Sequence, residues 1–391
     1  MTKSTFTSDP DGRKASSDYM KYLILVGAVT GLMTYIYGNI SYQNPEYSQW
    51  DLNDYRAMAQ AAPGLTNHVR EPFIFRILGP YLVGLLPLSI DSSFLILSIS
   101  SGLGLSILLY SYLSANIVQP PIAALGSILF VLNKYLYGFP SWNYFQVCDN
   151  LSQIEVVLLM WTMTRRNWLP FGIILFLGSL TKEIPLVMIP VAVVYLVEMN
   201  IRDNSWRLVL SAVLPACLTA IVLRIVLHSD TGNNLTQAMI AYAGKLIVPE
   251  TWFRLLINSF LPFSLLPIIF ADSTRNYFRT RRYAIVYFIL VMISTFFGYN
   301  NERLMAPTFI IFYSLLAIII EDYVAQSKLM VMAVIFAAVA SSFHHTYARF
   351  PLPRGVTIAI SLFAFLFVSL IMIYYRIQLA AKPEQPVAKN L

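Results

Sequence analysis

Two carboxylates three residues apart, Asp51 and Asp54, lie in the polar stretch Trp50-Asp51-Leu52-Asn53-Asp54-Tyr55-Arg56-Ala57-Met58-Ala59 of an otherwise strongly apolar chain. The stretch has helical character, which puts Asp51 and Tyr55 on one face and Asp54 within a turn of Asp51. A carboxylate within hydrogen-bond reach of a hydroxyl can act as general base; the alternative is a solvated loop with ordinary surface acids. Further groups of the same kind recur downstream: Arg70 and Arg76, the aromatic run 139 to 150 (FPSWNYFQVCDN) ending in Asp149 and Asn150, the pair Lys182-Glu183, the turn 299 to 303 (YNNER) ending in Arg303, and 344 to 354 (HHTYARFPLPR) with His344 and His345. The histidines have no carboxylate or cysteine at ligand spacing nearby, so no metal site is expected, and His345 is kept as a substrate-contact candidate.

The elements that must position these groups are membrane helices. Of the 391 residues 57% are hydrophobic and 12% charged, against roughly 45–50% and 25% in soluble domains. The excess comes in runs close to the ~20 residues that span a bilayer core, without the period of two of a membrane barrel strand. An all-α polytopic fold follows, with spans near 22–40, 93–114, 121–138, 148–164, 168–181, 184–199, 207–228, 254–271, 282–299, 305–322, 329–343 and 356–375. Residues 71–88, interrupted by Arg76, Pro80 and Pro87, read as an interfacial or partly inserted helix. The chain divides into a polar tail (1–21), one transmembrane domain (22–375, with the first long loop and its surface helices at 41–92) and a second tail (376–391).

The net charge of +7 is dispersed between apolar runs, so it marks topology and not a nucleic-acid partner. The densest basic clusters, Arg165-Arg166 and Arg275 to Arg282, fall on the cytoplasmic side if both termini are cytoplasmic, as the positive-inside rule requires. The polar islands around Asp51, Asp149, Lys182, Arg303 and His345 then all face the other side. Charge is expensive at membrane depth and usually lines cavities, so this convergence implies one polar site. Cys148 and Cys217 lie in or beside apolar segments and read as inert packing residues, and no phosphate-binding glycine loop or HExxH helix occurs.

The pattern W-D-x-x-x-Y-x-x-x-A after the first span, followed by R-x-L-x-P at Arg76, Leu78 and Pro80, resembles the GT-C superfamily of polytopic glycosyltransferases. The likeness is closest to the mannosyltransferases of glycosylphosphatidylinositol anchor synthesis and their bacterial relatives. It extends to Asp149 in D-N-L-S and to Thr181-Lys182-Glu183. It implies an acidic catalytic residue in the first non-cytoplasmic loop, where Asp51 matches and Asp54 competes. It also implies a polyprenyl-phosphate-linked sugar donor and a glycan, lipid or protein acceptor, in the bacterial inner membrane or the endoplasmic reticulum. On this reading Lys182 and Arg303, with Arg76 and Arg70, bind the donor phosphate, while Tyr55, Asp149, Asn150, Glu183, Trp142 and His345 contact substrate. Trp142, Tyr144 and Phe145 could stack on a sugar or form an interfacial aromatic belt. Lys182 could instead pair with Glu183, and Arg303 with Glu302. No cofactor is expected. The rival functions are a transporter or lipid flippase, which needs ionisable groups in mid-span, where the sequence offers Arg224, and a polysaccharide polymerase-like assembly protein.

Overall fold

Apolar runs satisfy their own backbone hydrogen bonds only as helices, and the described residues form helices with no strand among them. The structure is a computed structural model that describes residues 12–43, 47, 50–201, 204–229, 244–298, 300–343 and 352–381. The first ten helices are α1 (Gly12–Tyr37), α2 (Leu52–Ala61), α3 (Leu78–Leu85), α4 (Ile90–Asn116), α5 (Pro120–Val131), α6 (Phe139–Trp142), α7 (Val147–Thr164), α8 (Trp168–Thr181), α9 (Met188–Glu198) and α10 (Ser205–Val226). They are followed by α11 (Pro249–Leu256) and by the longer helices Ala271–Thr280, Arg282–Ser294, Phe309–Ile319, Lys328–Ser342 and Arg354–Ala381.

Among the described residues, five helices are long and apolar enough to cross a membrane, or six if the bent pair 120–131 and 134–142 is one span; four shorter apolar helices accompany them. Their outer faces carry large exposed side chains such as Leu169, Leu210, Ile225 and Leu370, a surface that suits lipid. The chain is thus an integral membrane protein. Phe309–Ile319 runs through the middle, with all but one of its residues buried, and α5 packs on it. Where apolar burial gives helix pairs no advantage over lipid, small and hydroxyl residues join them. Thr30 of α1 donates to Ser106 of α4 at 2.8 Å, and Gly172 of α8 approaches Ala212 of α10 so closely that a Cβ would meet its Cα at 2.9 Å.

Among the described residues the expected runs are not all continuous helices. The run 254–271 is broken into α11, a 3-10 turn at Asn258–Phe260 and a single turn at Leu266–Ile269, because Pro262 and Pro267 cannot donate to a helical ladder. The run 121–138 bends by 67°. There Asn133 ends α5, and its Oδ1 accepts from the N–H groups of Tyr135 and Leu136 at 3.0 and 2.9 Å, capping a π turn over Lys134–Gly138. Arg224 lies in the last turn of α10 beside the Phe75 ring, not in mid-span. Among the described residues, Lys134 and Glu155 are buried charged side chains well inside apolar runs. Residues 71–88 form a 3-10 turn (Phe73–Phe75) and the short helix α3, with Pro80 in the first turn of α3, where a missing N–H is harmless.

α2 and α3 pack together as a pair of short helices beside the bundle. Their contact depends on Gly84, since a Cβ there would lie 2.1 Å from the Ala59 carbonyl oxygen. This pair carries Asp51, Asp54 and Tyr55 against α7 and the break between α8 and α9.

Candidate active site

Asp51 stands at the N-cap of α2, where the helix dipole favours negative charge. Its Oδ2 accepts from Gln146 Nε2 at 2.7 Å and lies 3.6 Å from Arg303 Nη1, and its side chain keeps 22% of its surface exposed. Arg303 belongs to the short helix Asn301–Leu304, whose cap residue Asn300 accepts from the Arg303 N–H at 3.2 Å. The same guanidinium places Nε 3.3 Å from Oδ2 of Asp149, a buried carboxylate in the first turn of α7. The other oxygen of Asp149 accepts from Lys182 Nζ at 2.6 Å. Lys182 is the extended residue that ends α8, and the break it occupies is tight: a Cβ on Gly178 would meet Pro185 at 2.5 Å. Asp51, Arg303, Asp149 and Lys182 therefore form one alternating chain of charge drawn from four separate stretches of sequence.

A second chain lies against it. Arg76 is buried; its Nη2 donates to Glu183 Oε2 at 3.1 Å and its Nη1 faces the Tyr55 hydroxyl at 3.4 Å. Burial of Tyr55, first of all, pushes its hydroxyl far above the ordinary tyrosine range, so it serves as a neutral phenol. The alternative pairings Lys182–Glu183 and Arg303–Glu302 do not form: Glu183 takes Arg76, while Glu302 takes Arg254 in a two-pronged contact at 2.6 and 2.8 Å.

Asp54 is not available in the same way as Asp51. It is buried and accepts from Arg70 three times, from the backbone N–H at 3.0 Å, Nε at 2.9 Å and Nη2 at 2.5 Å. Arg70 is held above its ordinary value chiefly by this hydrogen bonding. The pair ties the loop before α3 to α2. Arg70 is thereby engaged by Asp54, apart from the Lys182 and Arg303 cluster.

Trp142 is buried among Tyr47, Trp50 and Phe139, with ring centroids 5.5, 6.3 and 5.8 Å away. Phe145 is buried against Tyr42 and Phe94; Tyr144 is the partly exposed ring of the three. Trp142 thus packs behind Trp50, the residue before Asp51, instead of offering an open face. Asn150 is buried with neither amide atom hydrogen-bonded, and Gln146 Oε1 is in the same condition. His344 and His345 lie outside the described residues.

Sequence reasoning passed over Gln146 and the pair Tyr42–Asn143, whose hydroxyl and amide oxygen are hydrogen-bonded. Burial, then Tyr144 and Asp51, raise the Tyr42 hydroxyl well above its ordinary value. The signal was present: Asn143 and Gln146 are carboxamides within the aromatic run 139–150, just ahead of Asp149. Among the described residues no group of three or more His, Cys, Asp or Glu could hold a metal ion.

The sequence matches no family model and no curated protein. Among solved structures the fold is similar to the crystal structure of ArnT from Cupriavidus metallidurans bound to undecaprenyl phosphate, with a TM-score of 0.50 and 14% identity, covering 92% of this chain and 71% of that one. At this identity the likeness shows the fold alone, a helical membrane architecture similar to that of ArnT.

Proposed function

We propose that this chain is a membrane glycosyltransferase that moves a sugar from a polyprenyl-phosphate carrier to an acceptor at the non-cytoplasmic face. The observation that carries the reading is the placement of one partly exposed carboxylate, Asp51, beside Arg303 and within the charge chain that contains Lys182. That is the pairing of a base with phosphate-binding cations which such a transfer needs. The W-D and R-x-L-x-P patterns and a fold similar to that of a protein bound to undecaprenyl phosphate support it.

In the proposed displacement the acceptor hydroxyl oxygen attacks the anomeric carbon as its proton passes to an Asp51 oxygen. The bond from that carbon to the carrier phosphate oxygen breaks, and the electron pair leaves with the phosphate. Lys182 and Arg303 stabilise the growing negative charge there, and Arg303 supplies a planar, two-pronged donor set. Asp149 is the resting partner of both cations, exchanged in part for phosphate when donor binds. Gln146 positions Asp51, and the buried unpartnered carboxamides of Asn150 and Gln146 suit sugar hydroxyls or the waters that bridge to them. Arg76, Glu183 and Tyr55 brace the α8–α9 break against α2, and Asp54 with Arg70 braces the loop. The termini are cytoplasmic, with Arg165, Arg166 and the 275–282 cluster on that side. The mannosyltransferase resemblance makes a hexosyl or pentosyl group the candidate cargo and the bacterial inner membrane the candidate site.

The test is transfer from purified polyprenyl-phosphate sugar in nanodiscs with equal amounts of folded wild-type and Asp51→Asn protein. Loss of a general base lowers the rate by ~10²–10⁴. Normal turnover in Asp51→Asn removes this mechanism. Movement of a solute or lipid across liposomes, with no donor consumed, removes the transferase reading.

A further inference from the structure

α7 holds the α8–α9 break at two points. Asp149 takes Lys182 in the charge chain described above, and Glu155, about 9 Å further along the helix axis, takes Thr181, the residue before it. The second contact has no part in the proposed chemistry. Glu155 is 7% exposed and Thr181 is fully buried, and Glu155 Oε1 lies 2.6 Å from Thr181 Oγ1. Glu155 Oε2 is buried with no hydrogen-bond partner and lies along α8, where a Cβ on Gly178 would come within 3.4 Å of it. No ion pair among the described residues includes Glu155. Lys182, the cation of this break, is taken by Asp149.

Thr181 Oγ1 also lies 3.0 Å from the Leu177 carbonyl oxygen, the back-bond usual for a threonine inside a helix. A carbonyl only accepts, so the Thr181 hydroxyl is the donor there, and a hydroxyl has a single hydrogen to give. With that hydrogen on Leu177, the 2.6 Å contact needs a hydrogen from Glu155. If it points at Glu155 instead, an ionised carboxylate sits inside the bundle with one neutral donor, a bare second oxygen and no cation. A buried acid leaves that state by taking up a proton. The neutral acid satisfies the whole set. Its O–H donates to Thr181 Oγ1 at a separation ordinary for O–H···O bonds, and the Thr181 hydroxyl donates to Leu177. Oε2 is then a carbonyl oxygen, which costs less to leave unpartnered than a charged one.

We infer that Glu155 stands as a neutral carboxylic acid that hydrogen-bonds Thr181 to α7, and that it is a positioning residue for Lys182. The role given to Lys182 rests on the transferase reading above. Lys182 has left the helix for an extended conformation, its N–H still bonded to the Gly178 carbonyl at 3.0 Å. Thr181 is the last residue of α8 and so the last point at which the helix can be fixed before it. Tying Thr181 to the helix that carries Asp149 holds both partners of the Lys182–Asp149 pair on one frame. Neutrality matters to the same pair. Asp149 is the acid paired with Lys182 at rest, and a second anion beside the break would oppose the arrival of a phosphate. A neutral acid supplies a directed bond at a depth where charge is expensive, and adds nothing to the charge of the site.

The experiment uses the full chain in nanodiscs and measures the infrared spectrum at neutral pH and the affinity for undecaprenyl phosphate. The difference spectrum of wild type minus Glu155→Gln should contain the carbonyl band of a protonated carboxylic acid. Thr181→Val removes the acceptor and keeps the shape, and should move that band. Glu155→Gln retains a neutral donor and should bind undecaprenyl phosphate as wild type does. Glu155→Leu should bind it roughly tenfold more weakly, the effect of losing one hydrogen bond. Thr181→Val breaks the same bond from the other side and should show the same loss, which decides the matter if Glu155→Leu does not fold. Affinity is measured on folded protein, so a merely structural role would lower the melting temperature and leave affinity unchanged. Carboxylate bands alone in the difference spectrum overturn the neutral acid. Wild-type affinity in folded Glu155→Leu or Thr181→Val overturns the positioning role, as does a loss in Glu155→Gln equal to that in Glu155→Leu. If wild type shows the acid band and binds no undecaprenyl phosphate, the donor assignment falls together with the role for Lys182, and the neutral Glu155 stands.

Discussion

Asp149→Asn should weaken the fold and, in the same protein, strengthen the response to polyprenyl phosphate. Asp149 is 3% exposed and holds Lys182 at 2.6 Å and Arg303 at 3.3 Å. At an effective dielectric constant of ~20, those separations correspond to gross attractions of about 6 and 5 kcal/mol before desolvation is subtracted. What matters for the variant is that asparagine keeps the shape and removes the charge, leaving two poorly solvated cations facing each other. Removing one partner of a buried pair costs ~3–5 kcal/mol. Part of this is offset here because Asp51 still lies 3.6 Å from Arg303. A phosphate monoanion entering between Lys182 and Arg303 restores the missing charge, so ligand should recover much of the loss by linkage. Thermal unfolding in nanodiscs, with and without a fixed concentration of undecaprenyl phosphate, reads both quantities. The variant should melt several degrees lower without ligand and show a larger ligand-induced rise than wild type. An unchanged melting temperature would mean that the Asp149 pairs carry no net stability. A smaller ligand response than wild type would mean that phosphate does not bind between these cations.

Asp54→Asn should act on folding before chemistry: the three contacts from Arg70 weaken, costing about 1–3 kcal/mol, and at temperatures where the variant is folded its turnover should stay within a few-fold of wild type; a loss as large as that of Asp51→Asn would transfer the base to Asp54. Gln146→Leu removes the 2.7 Å hydrogen bond that orients Asp51 and should lower kcat roughly tenfold with donor KM little changed, since the loss falls on the step that uses the base; a rise in KM alone would make Gln146 a binding residue. Gly84→Ala should lower both melting temperature and activity, because its Cβ would lie 2.1 Å from backbone oxygen of Ala59 and drive α3 off α2; full activity would show that the surface-helix pair need not hold Asp51 in place.

How much was legible in the sequence depended on whether a residue's environment was announced by its neighbours. Asp51, Asp149, Lys182 and Arg303 were legible because each is a charge at the end of an apolar run, where few positions let it avoid lipid except a shared polar site. The structure brings these four together through α2, α7, the α8–α9 break and the 301–304 helix. Partner choice was not legible. Sequence adjacency left open Lys182 with Glu183 and Arg303 with Glu302, yet Glu302 and Arg303 are consecutive in a helical turn and diverge by about 100°, while the extended backbone at Lys182 turns its side chain away from that of Glu183. Lys134 and Glu155 were hidden for a related reason: one charge inside a long hydrophobic run barely alters its average, and burial such as that of Glu155 against Thr181 is a tertiary fact. The run 254–271 read as a span because its composition is apolar, while Pro262 and Pro267 act through lost donors that a hydropathy average does not register.

The different fates of Asp51 and Asp54 follow from the same helix geometry. Three residues apart at the start of α2, they share a general direction but differ in depth: Asp51 caps the helix and stays partly exposed, while Asp54 lies within the first turn and is buried. A buried carboxylate needs a close cation, and Arg70, carried by the loop between α2 and α3, supplies it. Asp51 is held more loosely, by an uncharged amide at 2.7 Å and a guanidinium at 3.6 Å. A base must exchange partners during a reaction, and a two-pronged salt bridge with a backbone contact resists exchange. The charge count points the same way. Asp51 and Asp149 balance Lys182 and Arg303 at rest, and Glu183 balances Arg76. An arriving phosphate monoanion makes the cluster net anionic: one carboxylate must yield its cation to the phosphate, and the charge returns to zero only when a carboxylate takes up a proton. On the proposed reading Asp51 is the acid placed to do both, releasing Arg303 to the phosphate and accepting the proton of the attacking hydroxyl. Donor binding and base activation would then be coupled through a single guanidinium.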